Sequence, residues 1–404
     1  MFFDLVVVGG GAAGFFAAIT CAENSSKSVL ILEKTSQVLH KVKISGGGRC
    51  NVTHECFDPR ELTQSYPRGE KSLIGPFHRF GVRDTIDWFA SRGVTLTTES
   101  DGRMFPDTDS SQTIVDTLLD AATSAGVEIH TSSGVTSIER DDAGFELVTD
   151  AGDRIGATSV LIATGGTRLA AGARLAAGLG HTLEPPTPSL FTFRIRDPRL
   201  DGLLGVSVDP AGVRVVDSRL ESNGPVLVTH WGLSGPGILR ISAWGARELA
   251  ARDHRFEIDV NWLPGVDPTE VLAARRRDEA RRRLSSRSAF ETIPKRLWLR
   301  LLDAAGISPD TTWAQLPRIE ANRLTSELTA SRFRVGGKST NKDEFVTCGG
   351  VSLDEIDFRT MESKLVPGLF FAGEVVDVDG ITGGFNFQNA WTGGHHAGST
   401  VASR

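Results

Sequence analysis

The chain opens on an unbroken apolar run, Leu5-Val-Val-Val8, that stops at Gly9-Gly-Gly11. An Ala-rich stretch follows to about Cys21, then a second apolar run, Val29-Leu-Ile-Leu32, ends on Glu33. Short continuous runs of β-branched and aliphatic residues bounded by turn residues read as strands buried on both faces. The pattern predicts one β-strand, α-helix, β-strand unit over Asp4–Glu33. Helical spacing recurs over Asp84–Arg92, stopping at Gly93, and over Gln112–Thr123. Between them Gly102-Arg-Met-Phe-Pro106 reads as an ordered turn. Val127–His130 starts a strand; turns at 141–144 and 150–152 then divide Gly134–Arg140, Phe145–Thr149 and Ser159–Ala163 into a meander whose last run is buried.

Past Leu190 the texture changes. Phe191–Asp217 and Pro225–His230 read as short alternating strands with Gly and Pro turns, a small β-barrel or sandwich. Helical patterns follow over Glu270–Leu284, Ile293–Ala305 and Trp313–Ala330, parted by Pro294, Gly306 and Pro317. Leu369–Gly373 returns to a short buried strand, and a helix runs from about Gln388 through His396. An α/β domain closed by a late segment makes the barrel and helices insertions. The expected fold is an α/β, Rossmann-like domain with inserted β-barrel and helical subdomains. The expected divisions are 1–189 for the first part of that domain, 190–265 for the barrel, 266–331 for the helical cap, and 332–404 for the return segment of the barrel and the C-terminal part of the first domain.

The 404 residues allow two or three domains, and the net charge of -6 gives no reason to expect nucleic acid or an anionic membrane as main partner. The run Arg275-Arg-Arg-Asp-Glu-Ala-Arg-Arg-Arg283 invites an RNA reading, but Asp278 and Glu279 interrupt it, as on a solvated helix face. Four cysteines are too few for a disulfide framework, no run approaches about 20 apolar residues, and no basic leader precedes the first strand. The expectation is a cytoplasmic protein with a small-molecule substrate and no membrane span.

Gly9-x-Gly11-x-x-Gly14 follows a strand and opens a helix, the context that gives this spacing its meaning. Gly9 permits the turn, Gly11 lets a pyrophosphate approach the backbone, and Gly14 lets helix and strand pack closely. With Ala12 and Ala13 these residues present N–H groups at the helix start, where the dipole favours an anion. Glu33 stands where an acid accepts hydrogen bonds from a ribose, with Lys34 beside it. Lys41, Lys43, Ser45, Gly46, Gly47, Arg49, Cys50 and Asn51 form a glycine-broken loop carrying donors suited to phosphate or flavin carbonyls. Val135, at the head of the meander, and Thr164-Gly165-Gly166, at its end, complete the layout of an FAD-binding Rossmann-like domain of the two-dinucleotide-binding-domain flavoprotein type, which argues for FAD over NAD alone. Gly373, Glu374, Asp379, Gly383, Gly384, Phe385, Asn386 and Gln388 are assigned to the isoalloxazine end, with donors at a helix start stabilising the N1/C2=O edge of reduced flavin. No metal-ligand pattern is present.

Cys50 and Cys56 raise the question of a dithiol reductase. Five residues separate them and no helical pattern surrounds them, whereas flavoprotein redox pairs have four on a helix; this chemistry is disfavoured. No second GxGxxG is present, so NAD(P)H, if used, reaches the flavin transiently.

Lys43-Ile-Ser-Gly-Gly-Gly-Arg-Cys-Asn-Val-Thr53, Gly102–Pro106, Pro188-Ser-Leu190, Thr229-His-Trp-Gly-Leu-Ser-Gly-Pro236, Gly349-Gly-Val351 leading to Thr360–Lys364, and Phe371–Trp391 together resemble the BaiN/YhiN-like flavoproteins, the aminoacetone oxidase family of NAD(P)/FAD-dependent oxidoreductases. The resemblance spans nearly the whole chain. It implies an FAD domain built from both ends, an inserted barrel and a helical cap. Thr167–Arg174 departs from the family's pattern, which bears on substrate or pyridine-nucleotide binding. On the resemblance and on donor chemistry, Arg49 is a candidate for a phosphate or substrate carbonyl, and Asn51 for a flavin edge. His230 is a candidate proton donor, since an imidazole titrates near neutrality; a hydrogen-bonded structural histidine is the other reading. The expected function is an FAD-dependent oxidoreductase moving a hydride between flavin and a small organic substrate with NAD(P)H as donor. The alternative is a flavin-dependent RNA-modifying or RNA-binding protein.

Overall fold

Phe2–Val8 forms β1, Ala12–Glu23 forms α1 and Val29–Leu32 forms β2. β1 pairs in parallel with β2, Val6 opposite Leu30, and on its other side with Arg154–Ile162, Val6 opposite Val160. Glu128–His130 extends this sheet beyond β2 and Leu369–Phe371 extends it beyond Arg154–Ile162, both in parallel register. The central strands are covered on both faces, which is why their sequences are continuously apolar rather than alternating. The chain enters α1 and returns to β2 as a crossover connection.

The computed structural model describes residues 1–166, 171–339 and 346–404. They fall into two units: 1–187 with 346–404, and 188–345. Of the departing segment Thr167–Arg174, Thr167–Ala170 lie outside the described residues, while 171–174 begin a short helix over Ala171–Gly178.

Within the first unit, the Phe385–Ala402 helix packs along α1. A Cβ at Gly394 would stand 2.6 Å from the Ala13 carbonyl oxygen, and one at Gly398 would stand 2.3 Å from that of Ala17. Only glycine permits this approach. The contacts advance together along both helices, so the helices run parallel with their N-termini at the same end. Expected helices over Asp84–Arg92 and Gln112–Thr123 run over Val82–Ala90 and Ser111–Ser124.

In the second unit six strands close a barrel in the order Phe193–Ile195, Gly232–Ser234, Glu221–Thr229, Ser207–Val215, Phe256–Asn261, Ser331–Lys338. The helices Pro268–Asp278, Lys295–Ala304 and Arg318–Thr329 form an excursion between the fifth and sixth strands. Barrel and helices share one apolar cluster containing Trp262, Trp298, Trp313, Leu324 and Phe333, so they pack as one body. The helix expected over Glu270–Leu284 stops at Asp278. Glu279, just beyond, gathers Arg275, Arg282 and Arg287 around its carboxylate.

Candidate flavin site

At the carboxyl ends of the central strands the backbone is pulled tight. The Gly9 N–H donates to the Leu32 carbonyl at 2.8 Å, and the Ala163 N–H donates to that of Val8 at 2.9 Å. Gly9 has φ +116°, and a Cβ there would lie 2.5 Å from the Ala163 oxygen. At Gly14 a Cβ would lie 2.1 Å from the Gly9 oxygen. Gly11 differs: a Cβ there would meet nothing within 4 Å. Its missing side chain leaves open space above the start of α1. That helix has no side-chain cap and no acid in its first turn. The N–H groups of Ala12, Ala13 and Gly14 therefore lack the usual cap, and with the dipole they make a seat for an anion.

Glu33 closes one side of this seat. One carboxylate oxygen accepts from the Gly10 N–H at 2.9 Å, and the other accepts from the Thr35 N–H and hydroxyl at 2.9 and 2.8 Å. These contacts fix the carboxylate and leave it lone pairs for a ribose diol. Lys34 and Val135 adjoin at the same edge: a Cβ on Gly134 would lie 3.2 Å from the Lys34 Cβ, and Val135 is buried. Segments about 100 residues apart in sequence thus meet beside β2.

The far segment comes to the same place. Gly373, at φ +77°, lies so close to α1 that a Cβ would stand 3.1 Å from the Ala13 Cβ. Lys41 pairs with Glu374, and Gly165 faces both: its Cβ would be 3.7 Å from the Lys41 nitrogen and 3.8 Å from the Glu374 carboxylate. Gly166 stands against Glu374 and Thr347. Thr164 packs against Gly9.

The Phe385–Ala402 helix also starts without a side-chain cap, from Gly384 at φ +93°. A Cβ on Gly384 would lie 2.4 Å from the Thr53 carbonyl oxygen. The Asn51 amide oxygen accepts from the Gly384 N–H at 2.9 Å, while its nitrogen donates to the Thr53 and Met104 carbonyls at 2.9 and 3.2 Å. From the parallel pairing at Gly394 and Gly398, this helix begins about six residues, roughly 9 Å, further out than α1 at 1.5 Å per residue. Two uncapped positive poles therefore stand staggered at one end of the unit.

Asn386 and Gln388 are present there, but their side chains brace the fold. The Asn386 amide both donates to the carbonyl of Gly380 and accepts from its N–H, each at 2.9 Å. Buried Gln388 accepts from Thr53 Oγ1 at 2.6 Å and donates to Thr85 Oγ1 at 3.0 Å and Thr392 Oγ1 at 3.1 Å. The donors facing outward are backbone N–H groups of the first turn, with Phe385 at its head. Asp379 is fully buried against the Arg68 guanidinium, and the Tyr66 hydroxyl donates to the Phe385 carbonyl at 2.6 Å.

The basic loop is divided. Lys43 is exposed on the short helix His40–Ile44. The Ser45 hydroxyl donates to the Val42 carbonyl at 2.8 Å, and Gly46 and Gly47 take φ +57° and +70°. Arg49 is held by Glu99 at 2.7 Å and Asp109 at 3.2 Å, over the Phe105 ring at 4.0 Å. Cys50 is buried, and burial pushes its thiol up to about 12, far from a thiolate. Cys56 is half-buried, and both are free thiols. His230 belongs to the second unit, exposed in the turn between Thr229 and Gly232. Among the described residues no group of His, Cys, Asp and Glu is arranged for a metal, and no helix is long and apolar enough to cross a membrane.

Sequence reading missed His54. Its Nδ1 lies 3.0 Å from the Gly383 carbonyl oxygen, its ring stacks on Phe385 at 4.6 Å, and a Cβ on Gly102 would strike its Nε2 at 2.6 Å. A histidine one residue beyond Asn51-Val-Thr53, near glycines at 102 and 383, was the available signal. Arg68 and Tyr66 carried no local pattern at all.

A seat for a diphosphate flanked by a ribose acid on one side and a second helix pole on the other suits a molecule longer than a nicotinamide mononucleotide. The chain is an FAD-dependent oxidoreductase. It belongs to the family described as HI0933-like protein Rossmann domain, which it matches over residues 3–400. It is 35% identical over 402 residues to the ribosomal RNA dihydrouridine synthase of Escherichia coli (strain K12), covering 96% of each chain. It is 28% identical over 409 residues to the 3-dehydro-bile acid delta(4,6)-reductase of Clostridium scindens, covering 98% of each, in keeping with the BaiN-like resemblance. Its fold is similar to that of the 3-ketosteroid-delta4-(5alpha)-dehydrogenase from Rhodococcus jostii RHA1, with a TM-score of 0.53 and 14% identity over 100% of this chain and 97% of that one.

Proposed function

We propose that the protein reduces a carbon–carbon double bond conjugated to a carbonyl in a small organic substrate, with FAD as resident cofactor and NAD(P)H as transient electron donor. The cofactor rests on one observation: two parallel, uncapped helix N-termini staggered beside the open Gly11. When bound there, FAD supplies hydride transfer. The first turn of α1 would hold the diphosphate and Glu33 the ribose. The first turn of the Phe385–Ala402 helix would stabilise negative charge at the ring edge, and the Lys41–Glu374 pair lies against the Gly165–Gly166 turn. His230 is the proposed proton donor to the substrate carbon next to the carbonyl, with Arg49 the candidate for the carbonyl oxygen. The reaction class is supported by the names of the two relatives, since a dihydrouridine synthase and a bile acid delta(4,6)-reductase both saturate such a bond.

The reconstituted protein should lose its yellow absorbance with NADH or NADPH under anaerobic conditions and regain it with 2-cyclohexen-1-one. Failure to bleach with either nucleotide would remove the NAD(P)H role. His230→Gln should still bleach but lose reoxidation by substrate, and unchanged reoxidation would remove the proton-donor assignment.

A second reading, that the acceptor is a uracil ring within RNA, is favoured by the 35% identity to a ribosomal RNA dihydrouridine synthase over nearly the whole chain. It predicts that reduced protein is reoxidised by a uridine-containing rRNA transcript.

A further inference from the structure

We propose that the arginine-bearing outer face of the barrel docks folded RNA through its phosphates; this rests on the second reading above. Residues 188–345 carry 25 Lys and Arg against 20 Asp and Glu, while the rest of the chain carries 19 against 30. A chain of net charge -6 has therefore concentrated its positive charge in one unit, and 22 of those 25 cations are arginines, whose forked donors match phosphate oxygens.

The arginine run in 275–287 is not this surface. Glu279 holds Arg275, Arg282 and Arg287, and Arg283 pairs with Asp310 at 3.1 Å. The barrel face is different. Ile195 stands opposite Val335 on the neighbouring antiparallel strand, so one step along the register sets Arg196 opposite Arg334. Both are exposed, and among the described residues neither forms an ion pair with a carboxylate. Like charges directly opposite one another weaken a sheet unless an anion joins them. Glu257 faces Arg334 from the other side, and Arg332, next along, is already held by Asp259 at 2.9 Å and Glu257 at 3.7 Å. Arg194 lies over Gly336 and Gly337, 3.4 Å from the Gly336 carbonyl oxygen. Beside them Trp231 is 53% exposed, and its carbonyl accepts from the Ile195 N–H at 2.9 Å. An exposed indole on the adjoining turn gives a base something to stack on while its phosphates are held.

The test uses the FAD-loaded full chain and a fluorescently labelled RNA hairpin with a uridine loop, titrated by anisotropy at stepped KCl. The Arg196→Gln, Arg334→Gln double variant should bind roughly tenfold more weakly, with the log–log salt slope shallower by about 2, one unit per arginine. Trp231→Ala should weaken binding about tenfold with the slope unchanged. Melting temperature and reoxidation by 2-cyclohexen-1-one should stay at wild-type levels in the arginine variants, separating docking from folding. Loss of binding in Arg277→Gln, Arg281→Gln but not in the barrel variants would overturn the surface. So would absence of RNA binding, or arginine-dependent binding only to phosphatidylglycerol vesicles. Barrel-dependent hairpin binding without uridine reduction would support the docking face and sink the second reading instead.

Discussion

Residues 1–187 with 346–404 are acidic and organised by close backbone approaches at glycine, whereas 188–345 are basic and hold five of the seven tryptophans. In the first unit Gly9, Gly14, Gly384, Gly394 and Gly398 each sit where a Cβ would meet backbone at 2.6 Å or less. In the second, Trp262, Trp298 and Trp313 fill the core, and Trp298 donates to the Leu284 carbonyl at 2.8 Å. The contrast follows from the task. A unit that must present backbone N–H groups to a ligand cannot cover them with side chains. A unit with no such duty is free to stabilise itself by bulk.

The comparison breaks most sharply at charge buried in the first unit. Arg68→Met takes the guanidinium from buried Asp379 and should cost about 3–5 kcal/mol, read as a fall in the denaturation midpoint; a change within about 1 kcal/mol would mean the pair is solvated. Trp298→Ala should cost a similar 3–5 kcal/mol while the folded fraction keeps its yellow colour; colour lost at native temperature would mean the units are not separable. Gly14→Ala should cost about 1–3 kcal/mol because helix and turn must move apart. Gly11→Ala should leave the apoprotein's melting unchanged yet weaken FAD binding about tenfold, near 1.4 kcal/mol; equal effects at both positions would refute the division of labour between them.

Acid sharpens the contrast. His395 is half-buried against Phe80 in the first unit, and burial, then the neighbouring His396, lowers its pKa from 6.5 to about 4. The unfolded chain binds this proton more readily, so stability present above pH 6.5 declines as pH falls from 6.5 toward 4. His395→Phe should flatten that part of the stability profile, and an unchanged profile would place the titration elsewhere. The smallest effect belongs to Arg49→Gln, whose half-exposed ion pairs are screened by solvent and should leave the denaturation midpoint nearly where it is. A large loss of FAD with that substitution would give Arg49 a ligand role that its present partners do not display.

Much of the first unit was readable because its constraints are local. Gly9, Gly11, Gly14 and Glu33 lie within one βαβ pattern, and the physics of each position is written in its spacing. The return of Gly373–Gln388 was readable from its glycine clusters and from the family resemblance rather than from periodicity, and it brings the second helix pole. What sequence could not supply was the use of each polar side chain. Gln388, Asn386 and Arg49 are donors in any sequence, but only packing shows that the first two are consumed within the fold and that one guanidinium nitrogen of the third is turned to Glu99 and Asp109. His54 escaped because its partner, Gly383, is 329 residues away. In the second unit the strand and helix patterns and a return to the barrel after the helices were visible, but not the pairing order that sets Ser331–Lys338 between Phe256–Asn261 and Phe193–Ile195.

The glycine-lined seam between α1 and the Phe385–Ala402 helix sets an order of events during translation. The ribosome delivers α1 hundreds of codons before its companion, so an emerging polypeptide displays an unroofed groove along Ala13 and Ala17 until Gly394 and Gly398 leave the exit tunnel. Loading of the yellow nucleotide becomes a late checkpoint, and a message cut short before codon 385 yields a colourless product however well its earlier portion collapses.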